Sequence, residues 1–281
     1  MDPSSHLTLL QALFLAVTQG TSELFPVSSL GHAVVLPYLL GWNVDREAPS
    51  FLPFLVSLHL GTAIALALYF WRDWLALLGS IVGRGGDAGE VGVNRYLLLL
   101  LVVGTVPAGL LGLLLEKRLA ALFGSVQLVA VALILNGLLL AAGEWLRRRE
   151  RYQELGKLRP WQAFAIGTVQ AIALVPGFSR SGASMVGGLL VGLTHQAAAR
   201  FAFLLSTPII GAAALLEMPK LLSPDLRGEL GLALLAGLVA GVVAYGSTAL
   251  LMRYFKTHEV NALAPFAVYC LALGALTLVV R

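Results

Sequence analysis

Runs of about twenty apolar residues recur along this chain of 281 residues, and they constrain its fold more than any other feature. A helix of that length crosses roughly 30 Å of hydrocarbon. Charged residues make up only 12% of the chain, whereas an ordinary soluble domain has about 25%. We therefore exclude a soluble globular fold and predict an all-α polytopic membrane protein.

Six of the runs are long enough to span a membrane without interruption. They comprise residues 51–71, 96–115, 125–144, 198–216, 229–252 and 262–280. Two further apolar regions, residues 7–41 and 161–193, are each interrupted near the middle by polar, Gly and Pro residues. The pieces on either side are too short to span, so each region is predicted to be a re-entrant hairpin of two half-helices.

The two interrupted regions resemble each other. When the sequence is shifted by 151 residues without gaps, residues 11–42 align with residues 162–193, and eight of the 32 positions are identical. The identities bracket both interruptions and include the pairs Gln19/Gln170, Ser28/Ser179 and Gly31/Gly182. This pattern indicates an internal duplication within a single membrane domain.

The predicted halves, residues 1–150 and 151–281, each contain one hairpin followed by three spans. Because three is odd, the second hairpin enters the membrane from the face opposite to the first, and the repeat is inverted. Irregular backbone at membrane depth is tolerated where it lines a cavity. We therefore expect the two polar interruptions to meet inside the membrane.

Lysines and arginines in the predicted loops indicate the orientation. One face carries eleven of them, namely Arg72, Arg84, Arg95, Arg147, Arg148, Arg149, Arg151, Lys157, Arg159, Arg253 and Lys256. The other face carries six, namely Arg46, Lys117, Arg118, Lys220, Arg227 and Arg281. The more basic face should be cytoplasmic, which places the mouth of the first hairpin outside. These residues flank apolar segments and form no basic stripe with aromatic side chains, so nucleic-acid binding is not expected.

The interruptions contain the residues that carry chemistry. The first holds Gln19, Glu23, Ser28, Ser29 and His32, and the second holds Ser179, Arg180, Ser181 and Ser184. A charged side chain at a helix centre costs roughly 2.5–3.5 kcal/mol on insertion scales. We therefore expect Glu23, His32 and Arg180 to face a polar cavity and one another.

This combination of groups suits an anionic phosphate. The guanidinium of Arg180 matches phosphate oxygens, and half-helices that begin near residues 29–31 and 181–182 direct N–H groups to the same place. Glycines would let the backbone approach the ligand, and serines would add hydroxyl groups. The residues in question are Gly31, Gly177, Gly182, Ser28, Ser29, Ser179 and Ser181. Ser29, His32 and Glu23 could supply a nucleophile and a proton carrier for hydrolysis.

Structural roles are the alternatives. Ser28 and Ser181 could be helix N-caps, and Glu23 with Arg180 could be a structural ion pair. His32 could be an interface histidine with satisfied hydrogen bonds. His59, within a predicted span, and His195, in a loop or at a helix start, are interpreted as structural.

Two long motifs carry a family resemblance. Residues 19–32 are QGTSELFPVSSLGH and residues 176–184 are PGFSRSGAS. They closely resemble the signature motifs of bacterial undecaprenyl-diphosphate phosphatases of the bacitracin-resistance family, and the resemblance extends over nearly the whole chain. It implies removal of the terminal phosphate from undecaprenyl diphosphate at the outer face of the bacterial cytoplasmic membrane. That reaction would recycle the lipid carrier for peptidoglycan synthesis and give bacitracin resistance.

The resemblance also implies a divalent cation, Mg²⁺ or Ca²⁺, and a role for each motif residue. Glu23 and Gln19 correspond to an acidic pair for metal binding or base catalysis, His32 to an essential histidine, and Ser29 to a nucleophile. Arg180, with Ser179 and Ser181 beside it, corresponds to the diphosphate clamp. The chain departs from the family pattern at Gln19, at Leu30 and at Ser184. Because Gln19 is not acidic, Glu23 is the firmer metal ligand.

Two other functions are the alternatives. Inverted repeats with broken helices are typical of secondary transporters, so a transporter or flippase of lipid phosphate is the main alternative. A type-2 phosphatidic-acid phosphatase would need a second histidine where Val186 stands. The expected partners are the polyprenyl diphosphate and membrane lipids. The sequence leaves open the nucleophile, the cation, the preferred chain length and the formation of a homodimer.

Overall fold

The computed structural model describes residues 7–42, 44, 50–84, 86–120, 125–147, 153–221 and 227–280, and these residues form eleven α-helices. The first six are α1 (Leu9–Ser22), α2 (Ser29–Leu39), α3 (Phe51–Tyr69), α4 (Trp71–Ile81), α5 (Ala88–Ala120) and α6 (Val126–Leu146). The other five are α7 (Pro160–Ala171), α8 (Arg180–Leu190), α9 (His195–Leu221), α10 (Arg227–Thr257) and α11 (Ala264–Val279). The boundary between the predicted halves, at residues 150 and 151, and the basic residues Arg46, Arg148, Arg149, Arg151 and Arg281 lie outside the described residues.

Every predicted span coincides with a helix, in the order α3, α5, α6, α9, α10 and α11. Within the described residues, α5, α6 and α10 are long and apolar enough to cross a membrane, and the bent pair of α3 and α4 would make a fourth span. The outer surface is apolar: Leu113, Leu238 and Val268 are exposed by 67%, 65% and 65%. Apolar side chains at such exposure suit contact with lipid. The chain is a multi-pass helical membrane protein.

One helix was not predicted. After Phe70 the chain turns by 77° and continues as α4, which is amphipathic. Its side chains Leu75, Leu78 and Ile81 are exposed, and the guanidinium of Arg72 lies 5.3 Å from the ring centroid of Trp71. An amphipathic helix with an exposed apolar side and a tryptophan suits the membrane–water interface.

Both predicted interruptions are breaks between helices. The first break lies between Ser22 and Ser29, and the second contains a 3₁₀ turn, Ile172–Leu174, before α8 begins at Arg180. The Ser28 hydroxyl caps α2 by accepting a hydrogen bond from the Gly31 backbone N–H at 3.1 Å. The N-cap role considered for Ser28 is therefore confirmed.

The N-cap role considered for Ser181 is wrong. The hydroxyl that caps α8 belongs to Ser179 and accepts from the Gly182 backbone N–H at 3.1 Å. Ser181 lies inside the first turn of α8. The two caps, Ser28 and Ser179, are 151 residues apart, which is the spacing of the sequence repeat.

The second half-helix of each hairpin also ends in the same way. Gly41 follows α2 and Gly192 follows α8, and both adopt positive φ angles, +66° and +99°. A glycine in this conformation closes a helix by bonding back to its last carbonyls. Gly41 and Gly192 are separated by 151 residues as well.

Close helix crossings hold the bundle together. Gly61 on α3 faces Gly237 on α10, Gly104 on α5 faces Gly167 on α7, and Gly274 on α11 faces the Ala130 carbonyl on α6. Glycine lets two backbones approach closely, which gains van der Waals contact where lipid provides no hydrophobic driving force. The crossing of Gly104 and Gly167 holds the second hairpin against α5. In the first hairpin, Gly20 on α1 faces the Ala240 carbonyl on α10 in the same way.

The two breaks touch each other. A methyl group on Gly31 would lie 3.4 Å from the Gly177 Cα, and one on Gly182 would lie 3.1 Å from the Pro26 Cβ. A methyl group on Gly177 itself would lie 2.6 Å from the Val129 carbonyl oxygen of α6. Gly177 therefore lets the second break pack closely against α6, and its predicted approach to a ligand stays a prediction.

Candidate active site

The Glu23 carboxylate lies at the contact between the two breaks. Glu23 is the residue after α1, it is buried, and Arg180 donates to its Oε1 from the start of α8. The other oxygen, Oε2, accepts from the Ser29 hydroxyl at the start of α2. It also accepts from Gln19 Nε2, one helical turn earlier, at 2.9 Å. The structure thus brings four of the predicted site residues into direct contact.

His59 is a further member of this cluster. Its Nε2 lies 3.3 Å from Glu23 Oε2, and its Nδ1 lies 2.8 Å from the Leu55 carbonyl oxygen one turn earlier on α3. The sequence predicts a structural role for His59, because it lies within an apolar span. Only the packing of α3 against the first hairpin reveals its position.

The Arg180 side chain, which belongs to the second hairpin, reaches Glu23 in the first hairpin. Its side chain is 22% exposed, whereas that of Glu23 is 5% exposed. The Nε of Arg180 is buried and has no hydrogen-bond partner within the described part of the chain. A buried donor without a partner costs about 1–3 kcal/mol, so an acceptor atom placed beside this nitrogen would be stabilising.

The serines of the second break also bind the first break. The Ser181 hydroxyl lies 3.3 Å from the carbonyl oxygens of both Glu23 and Phe25, and 3.1 Å from the Ser179 hydroxyl. Carbonyl groups in an interrupted helix need such partners when no water is present. Ser181 therefore joins the two breaks through its hydroxyl group.

His32 makes its hydrogen bonds outside the Glu23 cluster. Its Nδ1 lies 2.6 Å from the Ser28 carbonyl oxygen, and its Nε2 lies 2.7 Å from the Tyr269 hydroxyl on α11. A carbonyl oxygen only accepts, so Nδ1 carries the hydrogen and Nε2 of the neutral ring accepts from Tyr269. The imidazole that contacts Glu23 is thus His59, and His32 lies one turn after Ser29 in a pair with Tyr269.

Ser184 lies one turn after Arg180 and bonds away from Glu23. Its hydroxyl donates to Gln170 Oε1 at 2.7 Å, and both residues are buried. Gln170 is the repeat partner of Gln19. The bond directs the Ser184 hydroxyl toward Gln170, and a role for Ser184 in binding substrate stays a prediction.

Asn136 connects α6 to both breaks. Its side chain is fully buried, its Oδ1 accepts from the Ser179 backbone N–H at 3.0 Å, and its Nδ2 donates to the Pro26 carbonyl at 3.1 Å. A single asparagine in an apolar span was not singled out in the sequence, although a buried polar residue at membrane depth is itself a signal. Asn136 and Tyr269 are the supporting residues that sequence reasoning missed.

The donor set for a metal ion is small. Among the described residues, no group of three or more His, Cys, Asp or Glu side chains is placed to hold a metal ion. The site offers the Glu23 carboxylate and the amide oxygen of Gln19. Mg²⁺ is often bound by only one or two carboxylates together with substrate phosphates. The residues present therefore fit a cation that is shared with a phosphate ligand and do not form a complete protein cage.

The chain matches known proteins over nearly its whole length. The family model described as "Bacitracin resistance protein BacA" matches residues 12–276. A protein of Acidiphilium cryptum named "Undecaprenyl-diphosphatase" is 54% identical over 97% of this chain and 98% of its own length. A Chromobacterium violaceum protein named "Undecaprenyl-diphosphatase 2" is 53% identical over the same shares of the two chains. These names favour an enzyme over the transporter considered from the repeat.

Asn136→Leu should destabilise the protein. The substitution keeps the side-chain size but leaves the Ser179 N–H and the Pro26 carbonyl without their partner. Each buried group left unpaired lowers the free energy of unfolding by about 1–3 kcal/mol. Thermal unfolding in detergent should begin several degrees lower than in the wild type. Asn94→Leu on α5 is the matched control and should unfold near the wild-type temperature. Equal unfolding temperatures for the two variants would contradict the bridging role of Asn136.

Proposed function

The chain belongs to the BacA bacitracin-resistance family, and we propose that its two helix breaks together form the catalytic site. As a member of this family it is an undecaprenyl-diphosphatase, a membrane hydrolase that acts on undecaprenyl diphosphate. The lipid substrate implies a site within reach of the bilayer. The Glu23 cluster lies where two hairpins of half-helices meet, which suits that requirement.

The observation that carries the proposal is the contact of Arg180 with Glu23 across the two breaks. The guanidinium is the more accessible partner, and its unpaired Nε is ready for a phosphate oxygen. Arg180 matches phosphate with parallel N–H groups in a plane, which a lysine cannot do. It holds the diphosphate of the substrate.

The starts of α2 and α8 assist in binding the phosphates. Both helices have eleven residues and begin at the breaks, with Ser29 and Arg180 as their first residues. The first N–H groups of a helix have no partner within the helix and carry a partial positive charge. Ser28 and Ser179 occupy one N–H each as caps, which leaves the N–H groups of the first residues for an anion.

Ser29 is the nucleophile and Glu23 is its base. The Ser29 hydroxyl already donates to Glu23, so its proton has an acceptor in place. Ser29 Oγ attacks the terminal phosphorus, its proton passes to the Glu23 carboxylate, and undecaprenyl phosphate leaves with the bridging oxygen. Water then attacks the phosphoserine: the bond from phosphorus to Ser29 Oγ breaks, the proton on Glu23 returns to Ser29 Oγ, and phosphate is released.

His32 serves the second half of the reaction. Because its Nδ1 is bonded to a carbonyl, Nε2 is the nitrogen able to accept a proton, and the Tyr269 hydroxyl beside it can rotate. His32 accepts a proton from the attacking water and Tyr269 orients its ring. His32 is therefore a catalytic residue in the proposed mechanism, although it makes no contact with the Glu23 cluster.

A divalent cation, Mg²⁺ or Ca²⁺, would be held by Glu23 and Gln19 together with the diphosphate. When bound, it would neutralise negative charge on the phosphates. The single carboxylate and the small protein donor set support a cation that arrives with the substrate. Arg180 and the helix starts bind phosphate oxygens in either case.

The topology we propose has six spans and two re-entrant hairpins in an inverted repeat, residues 1–150 and 151–281. Its support is the set of features that recur 151 residues apart: the caps Ser28 and Ser179, and the terminal glycines Gly41 and Gly192. The contacts between the breaks recur too, since Gly31 meets Gly177 and Gly182 meets Pro26. The excess of basic residues on one face supports a site that opens to the outer face of the cytoplasmic membrane.

Replacing Arg180 tests the phosphate clamp. Arg180→Ala should lower kcat/KM for phosphate release from a prenyl diphosphate in detergent by about 100-fold or more. Arg180→Lys keeps the charge but loses the planar fork, and it should retain partial activity. Arg253→Ala, on the exposed side of α10, is the control and should be near wild type. Near-normal turnover by a folded Arg180→Ala protein would contradict the assignment.

A covalent intermediate is expected on Ser29. Rapid quenching of a single turnover in neutral SDS, which preserves phosphoserine and phosphohistidine alike, should yield labelled protein when the substrate is labelled in its terminal phosphate, and peptide mapping should place the label on Ser29. Ser29→Ala should show neither label nor turnover. Label on His32, or complete turnover without any labelled protein in the same time course, would refute Ser29 as the nucleophile.

A further inference from the structure

Gln170 is a buried polar residue that the proposed mechanism does not use. It lies in the last turn of α7 and is only 1% exposed. Its Oε1 accepts from the Ser184 hydroxyl of α8 at 2.7 Å. Its Nε2 is buried and has no hydrogen-bond partner among the described residues. An acceptor atom placed beside this nitrogen would therefore be stabilising.

The internal repeat shows which acceptor Gln170 lacks. Its equivalent in the first hairpin, Gln19, donates from Nε2 to Glu23 at 2.9 Å, and Glu23 lies four residues later in the chain. Four residues after Gln170 the chain has Leu174, whose side chain has no acceptor. Both hairpins therefore have the amide donor, and only the first hairpin has an acidic partner for it.

The side of α8 that contacts α7 also carries Arg180. Arg180, Ser184 and Gly187 are three or four residues apart, so they lie along one side of the helix. Gly187 packs on α7, because a methyl group on it would lie 3.1 Å from the Ile166 Cα, and Ser184 bonds to Gln170. The buried nitrogens without partners in Arg180 and Gln170 thus belong to side chains next to Ser184.

The pair of Gln170 and Ser184 has more polar hydrogens than it uses. The amide NH₂ group has two and the hydroxyl has one, and the bond between the two side chains uses one of the three. Two remain in whichever orientation the amide adopts. An anionic oxygen only accepts, so it complements this surplus as it complements the guanidinium of Arg180.

We propose that Gln170 binds the substrate diphosphate, donating from Nε2 to a phosphate oxygen while its Oε1 accepts from Ser184. The inference rests on the proposed function, in which Arg180 holds the diphosphate at the start of α8. It adds α7 to the binding site through a residue outside both sequence motifs. The alternative is a structural role alone, in which Gln170 joins α7 to α8 through Ser184.

Gln170→Glu separates the two roles. Glutamate has a similar shape and keeps an oxygen that can accept from Ser184, but it replaces the NH₂ group with a second oxygen. The probe is inorganic diphosphate, whose dissociation constant is measured by calorimetry in detergent at a fixed free Mg²⁺ concentration. Binding should weaken about tenfold or more, because a donor to a charged oxygen is lost. A structural role alone predicts wild-type affinity.

Gln170→Met removes both polar groups from a side chain of similar length. It should also weaken diphosphate binding about tenfold, and a short-chain prenyl diphosphate should show a matching rise in KM. Without ligand this variant should unfold near the wild-type temperature, because the substitution also removes a buried donor that has no partner. A residue that only joins two helices would lower the unfolding temperature and leave the affinity unchanged.

Two reference variants make the result specific. Gln162→Met changes another buried glutamine of α7, whose Oε1 accepts from the Arg159 N–H at 2.8 Å, and it should bind diphosphate as the wild type does. Arg180→Ala should lose binding, which shows that the measurement reports the proposed site. If Gln170→Met does not fold, the affinity of Gln170→Glu still decides the question.

Three results would overturn the proposal. Wild-type diphosphate affinity in either folded Gln170 variant, with binding lost in Arg180→Ala, would remove Gln170 from the binding site and leave the proposed function intact. An equal loss of affinity in Gln162→Met would show that the effect is not specific to position 170. Wild-type affinity in Arg180→Ala would refute the proposed site itself.

Discussion

The ion pair between Glu23 and Arg180 is the interaction on which the rest of the structure depends. Each charge belongs to a different break, and both breaks lie between half-helices too short to cross a membrane. The Glu23 side chain is only 5% exposed, and removing one partner of a buried pair costs about 3–5 kcal/mol. Arg180 therefore holds the two hairpins together with the same guanidinium that is proposed to bind the phosphates.

Backbone groups impose the second constraint. An interrupted helix exposes N–H and C=O groups that lipid cannot satisfy, and here they are satisfied across the breaks. Ser181 bonds to carbonyls of the first break, and Asn136 on α6 bonds to one group in each break. These bonds fix the starts of α2 and α8, and with them Ser29 and Arg180. The same hydrogen bonds therefore hold the two breaks together and position the proposed catalytic side chains.

Much of this arrangement could be predicted from the sequence because its signals are local. Apolar length predicted the six helical segments, and clustered Gly, Pro and polar residues predicted both breaks. The contact of Glu23 with Arg180 followed from the cost of isolated charge at membrane depth. The N-cap role of Ser28 also depends only on neighbouring residues.

The remaining features depend on tertiary packing. His59 and Tyr269 come from α3 and α11, outside the motifs, and no spacing rule relates them to Glu23 or His32. Gly177 has a positive φ, but only the structure shows that its close neighbour is α6. The bend between α3 and α4 was not predicted, because both segments are helical and apolar length alone does not show where a helix changes direction.

The central claim is that the two breaks meet, and a disulfide cross-link tests it most directly. A Cβ at position 182 lies 3.1 Å from the Cβ of Pro26, close to the separation of about 3.5–4.5 Å in disulfides. In a Cys270→Ser background, the pair Pro26→Cys and Gly182→Cys should form an intramolecular disulfide on mild oxidation, detected by mass spectrometry. The pair Pro26→Cys and Gly246→Cys, with position 246 on the exposed side of α10, should not. Free thiols at positions 26 and 182 in folded, oxidised protein would contradict the account.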